Sequence, residues 1–186
     1  MKLLTIKKKL NSSVVIHNDA KLAFNFFFNQ IYLSDKSLDG LYKLQLTHNH
    51  QTLYGIYTEN NEIALFSGYE FISFNLSNLD LTKYVVIIYD SIKDEEVAKQ
   101  AWASALTAII PTVPTKHLEQ FRRALNNSMP SNYIRYFFGK NIISQDTWAK
   151  FNSVSRYTLA KQNQKANKLI TSQISIFEQL KDKHAG

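Results

Sequence analysis

Ile143-Ser144-Gln145-Asp146-Thr147-Trp148-Ala149-Lys150-Phe151-Asn152-Ser153-Val154-Ser155-Arg156-Tyr157-Thr158-Leu159-Ala160-Lys161-Gln162 is the stretch on which the reading of this chain turns. Two helical patterns, Gln145 to Phe151 and Ser155 to Lys165, flank a polar break at Asn152 and Ser153. With Gln145 counted as the first residue of a helix-turn-helix, Ala149 falls at the fifth position, Ser153 at the ninth, Val154 at the tenth and Leu159 at the fifteenth. Each place has a steric requirement. Only a small residue lets two steeply crossing helices approach, the turn wants another small residue, and apolar residues must fill the shared core. Ser153 stands where glycine is commonest. Ser155 is placed to cap the second helix.

The same stretch supplies candidates for contact with double-stranded DNA: Gln145 and Ser155 at the two helix starts, then Arg156, Tyr157, Lys161, Gln162 and Lys165 along the second helix. Arg and Gln read guanine and adenine edges in pairs of hydrogen bonds, whereas Lys contacts phosphate. Charge points the same way. The net charge is +7, but residues 1–105 hold ten Lys/Arg against eleven Asp/Glu, while residues 106–186 hold twelve against four. A positive excess confined to one half is what phosphate binding requires. Arg122, Arg123, Lys140 and Lys165 are accordingly expected to hold the DNA backbone while the helix from Ser155 enters the major groove.

Upstream, the pattern is mixed. Residues 2–16 suggest a short strand or two, and Asp19 is placed to cap a helix through Leu22, Phe24, Phe27 and Phe28. Period-two alternation then marks Tyr42 to Leu46, Leu53 to Tyr57 and Ile63 to Phe66, with Glu59-Asn60-Asn61-Glu62 as a turn, which predicts an antiparallel meander. Tyr84-Val85-Val86-Ile87-Ile88-Tyr89, a β-branched run flanked by tyrosines, reads as a central buried strand. Asp94-Glu95-Glu96 opens a helix through Val97, Ala101, Trp102 and Ala105, with its acids at the positive helix end. Ile109 to Pro114 breaks the pattern where the charge changes sign. Everything beyond reads helical: Leu118 to Leu125, Tyr133 to Phe138 closed by Gly139, the two helices above, and an amphipathic tail from Ile170 to Leu180.

These readings give an α+β chain: a small mixed α/β domain over residues 1–110, then an all-helical domain over 111–186 with the helix-turn-helix at about 143–165. With 45% hydrophobic and 20% charged residues the chain is expected to fold. The absence of cysteine excludes disulfides, a thiolate zinc site and a cysteine nucleophile, and favours a cytoplasmic setting. No signal h-region and no run of ~18 apolar residues suggests a membrane segment. His48 and His50 place two imidazoles on one strand face without a third ligand, and Gly139-Lys140-Asn141 lacks the flanking residues of a phosphate loop. No nucleophile, base and orienting acid come together by spacing, so no cofactor, metal or enzymatic activity is expected.

The order of elements resembles that of ParB-type partition proteins. The resemblance rests on Leu65-Phe66-Ser67-Gly68-Tyr69-Glu70, the strand Tyr84 to Tyr89, Asp94-Glu95-Glu96-Val97-Ala98, and Pro114 followed by Phe121-Arg122-Arg123 and Ile143-Ser144-Gln145. It covers roughly residues 53–165 and implies a ParB/sulfiredoxin-like domain joined to a DNA-reading helix-turn-helix. It also implies a role in partition, maintenance or regulation of a plasmid or other mobile element. The family's Gly-Glu-Arg-Arg box corresponds to Gly68-Tyr69-Glu70-Phe71, which carries neither arginine, so the resemblance implies a degenerate domain without nucleotide turnover. Ile170, Ile174, Phe177 and Lys181 at helical spacing offer a homodimer seam, and the aromatic-rich first half a surface for a protein partner. The alternative function is a non-enzymatic adaptor in a mobile-element complex.

Overall fold

The computed structural model describes residues 1–30, 51–60, 62–71 and 74–165. Tyr42 to Leu46, His48, His50 and the tail from Ile170 to Leu180 lie outside them, and with them the expected first meander strand, the paired histidines and the dimer seam. The protein is α+β, and it divides into two compact units, Met1–Val113 and Pro114–Gly186.

Among the described residues, the first unit is built on a five-stranded sheet. Its strands are β1 (Lys2–Leu3), β2 (Val14–Ile16), β3 (Thr52–Tyr57), β4 (Ile63–Ser67) and β5 (Val85–Tyr89), in the spatial order β1-β5-β3-β4-β2. β3 and β4 form the expected antiparallel hairpin, closed by Thr58 N–H donating to the Glu62 carbonyl at 2.9 Å. The sheet is nevertheless mixed rather than a meander, because β3 runs parallel to β5 and β2 parallel to β4. The most buried strand is β4, all five of whose residues are buried, whereas β5 alternates between buried and half-buried faces. β-branching selects a strand, but its neighbours and covering helices decide how deep it lies.

α1 (Ile6–Leu10) and α2 (Lys21–Asn29) run between strands, and α3 (Asp94–Ile109) follows β5. α3 packs on α2 and on β4, and buries Ala98, Ala101 and Ala105, small residues that permit close approach, beside Trp102, whose ring lies 5.4 Å from that of Phe26. Phe24, Tyr69, Phe71 and Phe74 make a second aromatic cluster with edge and tilted contacts of 5.0–6.1 Å. Asp19 does not cap α2. It sits inside a 3-10 turn, Asn18–Ala20, capped by the His17 side chain, which accepts from Asp19 N–H at 3.3 Å. After β4 the chain turns at Gly68, whose φ is +90° and where an added Cβ would stand 2.0 Å from the Thr52 carbonyl oxygen; only glycine fits.

The second unit is helical: α4 (Leu118–Ser128), α5 (Ser131–Phe138), α6 (Gln145–Phe151) and a helix over residues 156–165, called α7. α5 ends, as its sequence predicts, on Gly139 in the left-handed conformation, with φ 71°. Leu118, Phe121, Leu125, Met129, Ile134, Ile143, Trp148, Ala149 and Leu159 are buried and form its core. Trp148 is its centre. It stacks on Phe121 at 5.7 Å and on Phe151 at 5.5 Å, and its indole N–H donates to the Leu118 carbonyl at 2.9 Å, so the one polar atom of a large buried ring is satisfied.

Candidate nucleic-acid interface

α6, the turn and α7 fall on residues 143–165, where the spacing predicts two helices and a turn. Ser144 caps α6, its hydroxyl accepting from Thr147 N–H at 3.1 Å; Ser155 caps α7 in the same way, accepting from Thr158 N–H at 3.2 Å. Between them, Ser153 N–H donates to the Lys150 carbonyl at 3.2 Å and Val154 N–H to the Ala149 carbonyl at 2.9 Å. That pair of bonds is a Schellman closure, which needs a left-handed residue after the cap. Ser153 is that residue, with φ 53°, the one non-glycine with positive φ among those described. Serine therefore adopts the conformation for which glycine is usual at the ninth position. Ala149 and Leu159 are buried as expected, while Val154 is only half-buried.

Both helices are tied to the start of α4. Trp148 reaches the Leu118 carbonyl; the Gln162 side chain accepts from Glu119 N–H at 3.0 Å and donates to the Thr115 carbonyl at 2.7 Å. The segment leading into α6 is pinned as well, since the Asn126 amide exchanges two bonds with the backbone of Ile143, at 2.8 and 3.0 Å. At the centre of these ties lies Glu119, 2% exposed. Arg122 donates to both of its carboxylate oxygens at 2.9 and 2.7 Å, and Arg123 to one at 3.2 Å. Burial draws the Glu119 carboxyl upward, but the hydrogen bonds from Arg122 and Gln145 and the adjacent guanidinium charges outweigh it and hold the group below the usual carboxylate value.

This arrangement sorts the expected contact residues. Arg122 is committed to Glu119 and, at 2.6 Å, to the Ile143 carbonyl, with its side chain only 14% exposed. Gln162 faces inward on α4, and Gln145 bonds Glu119; these three hold the unit together rather than facing solvent. Arg123 is 41% exposed while pairing with Glu119, and Lys140 is exposed beyond α5. Ser155 serves as the cap.

The buried Leu159 and the inward Gln162 set the rotational phase of α7. At 100° per residue the opposite arc carries Arg156, Tyr157, Lys161, Gln164 and Lys165, all of them exposed, and Tyr157, at 74%, is the most exposed large hydrophobic side chain among the described residues of the unit. Gln164 does not stand out from Gln162 in the sequence; only the inward turn of Gln162 shows that Gln164 is the glutamine that faces out. No acid among the described residues pairs with the cations of this arc, whereas Lys150 on α6 is matched by Asp146 at 3.1 Å. The arc combines two kinds of bidentate-capable side chain, two ammonium groups and one aromatic on a helix whose other side is fixed.

In the first unit, the segment Gly68 to Phe71 is tightly folded. Glu70 accepts from Gly68 N–H at 2.8 Å, and its other carboxylate oxygen and the Tyr69 hydroxyl are buried without a partner among the described residues. Burial raises the Glu70 carboxyl above its ordinary value, against the pull of Ser104 and the backbone N–H groups, and raises the Tyr69 hydroxyl too. Among the described residues no helix is long and apolar enough to cross a membrane. No protein-family profile matches the chain, nor does any curated protein or solved structure.

Proposed function

We propose that the second unit binds double-stranded DNA, with α7 as the reading helix, and that the chain is a non-enzymatic DNA-binding protein of ParB-like element order. In that role it acts in partition, maintenance or regulation of a plasmid or other mobile element. The observation that carries the DNA-binding part is the exposed arc of Arg156, Tyr157, Lys161, Gln164 and Lys165 on a helix capped at Ser155 and anchored from behind by Leu159 and Gln162. Rigid placement matters because base edges are read only by side chains held at fixed depth in the groove. The cellular role rests on the resemblance of element order alone.

In this reading Arg156 and Gln164 contact base edges, Tyr157 offers apolar contact or stacking, and Lys161 and Lys165 meet phosphates together with Lys140 and the exposed Arg123. Arg122 and Gln162 act by holding α7 against α4. The test is binding to a duplex selected from a random pool. Arg156→Ala should relax preference at one base pair by ~1–3 kcal/mol, and Lys165→Ala should weaken selected and random duplexes alike. Equal losses on both duplexes for both substitutions would remove α7 from sequence reading. Retained binding in both variants, with capture of a protein partner by the first unit, would favour the adaptor reading.

A further inference from the structure

The geometry points to a second site, in the first unit: His17, Asp19 and Asp94 form a three-ligand site for a divalent first-row transition metal ion. One ligand atom from each of these residues lies within 4.8 Å of the others. They come from different places in the chain. His17 directly follows β2 and its backbone N–H still donates to the Leu65 carbonyl at 2.8 Å, which fixes its main chain to the buried strand β4. Asp19 lies in the 3-10 turn that packs on α3, and Asp94 is the first residue of α3.

Three features separate this group from an ordinary acidic helix start. The first is the donor set, one imidazole and two carboxylates, which suits Mn²⁺, Fe²⁺ or Zn²⁺ better than the all-oxygen shell of Ca²⁺ or the thiolates of Cu⁺. The second is spacing. Metal–donor bonds of ~2.0–2.2 Å put neighbouring donors about 3–3.5 Å apart; His17 Nδ1 and Asp19 Oδ2 are 3.4 Å apart, and the exposed Asp94 brings its ligand oxygen within 4.8 Å of the other two ligand atoms. The third is partnering. Lys99 neutralises Glu95 and Glu96 at 3.0 and 2.9 Å, while Asp94 has no ion pair among the described residues. His17 Nδ1 accepts from Asp19 N–H at 3.3 Å and lies 3.4 Å from Asp19 Oδ2, so a metal bound through Nδ1 would take the place of that backbone bond.

His17 also borders a cleft of about 630 Å³ lined by Asn18, Lys21, Asn25, Thr58 and Glu62. Three protein ligands leave coordination positions open, as in sites where a metal holds water or a small ligand. This site stands apart from DNA binding by the second unit and does not depend on it.

The experiment is isothermal titration of the full chain with Zn²⁺ and, separately, with Mn²⁺, alongside Asp94→Asn, His17→Gln and a His48→Gln/His50→Gln double variant. One ion per chain, bound at least tenfold more weakly by Asp94→Asn and His17→Gln but unchanged in the double variant, is the expected result. Asp94→Asn alters an exposed side chain, so its circular dichroism should match the parent and its loss of binding cannot be put down to misfolding. Absence of saturable binding by either ion, or binding lost only in the double variant, overturns the site.

Discussion

Removing the buried carboxylate at the centre of the second unit should cost it most of its stability, and Glu119→Ala is the substitution to make. Glu119 is 2% exposed and Arg122's side chain 14% exposed, with two hydrogen bonds of 2.9 and 2.7 Å between them. Without Glu119 the guanidinium keeps only the Ile143 carbonyl at 2.6 Å. Breaking one partner of such a pair costs about 3–5 kcal/mol, against ~0–1 kcal/mol for an exposed pair, because the remaining charge is left uncompensated. The double variant Glu119→Leu/Arg122→Met should recover most of the loss, since replacing both charges removes the stranded one. Urea unfolding followed by Trp148 fluorescence in a Trp102→Phe background reads the second unit alone, these being the only two tryptophans. The folded Glu119 carboxyl lies below its ordinary value, so its contribution is present above the unfolded value of about 4.3 and fades as pH falls through the folded one. The Glu119→Ala penalty should shrink accordingly in acid. A loss below ~1 kcal/mol for Glu119→Ala at neutral pH, or a double variant no more stable than the single, would refute the buried network.

Ser153→Gly should stabilise the second unit by roughly 0.5–1 kcal/mol, because a left-handed serine carries a steric cost that exceeds glycine's entropic one; a lowered urea midpoint would contradict the turn geometry. Gly68→Ala meets both a positive φ and a carbonyl 2.0 Å from its new Cβ, so the first unit should lose at least ~3 kcal/mol, measured by Trp102 fluorescence in a Trp148→Phe background; parental stability would overturn that turn. Glu70→Gln should stabilise at neutral pH and not in acid. The folded Glu70 carboxyl is raised, so its favourable contribution is complete below the unfolded value and is lost as pH rises through the folded one; melting curves that diverge toward acid instead would reverse the assignment.

The local events were legible in sequence and the long-range ones were not. Ser155 announces its helix because a capping hydroxyl acts three residues away, and Gly139 ends α5 through its own φ. The parallel pairing of Val14–Ile16 with Ile63–Leu65 depends on partners about 50 residues apart, and no local pattern encodes it. The same holds for burial: β5 has the stronger β-branched run, yet β4 is the strand enclosed on both faces. Arg122 looked like a phosphate contact because charge alone is visible in a sequence, whereas its commitment to Glu119 follows from where α4 meets Ile143. Gln162 and Gln164 are equally polar, and only the bonds to Thr115 and Glu119 decide which one turns inward. The grouping of His17 with Asp19 and Asp94 is invisible to local pattern, because its members are two and 77 residues apart, on a turn and a helix start.

The most direct test of the central claim is fluorescence anisotropy of a labelled random duplex pool titrated with the full chain at about 50 and 200 mM salt. The account predicts saturable binding that weakens steeply with salt, with a log–log slope of about −3 or steeper, as expected when at least ~3 phosphates are contacted. Loss of that binding in a Lys161→Ala/Lys165→Ala variant should follow. No binding at the lower salt would contradict it and leave α6 and α7 as a structural hairpin.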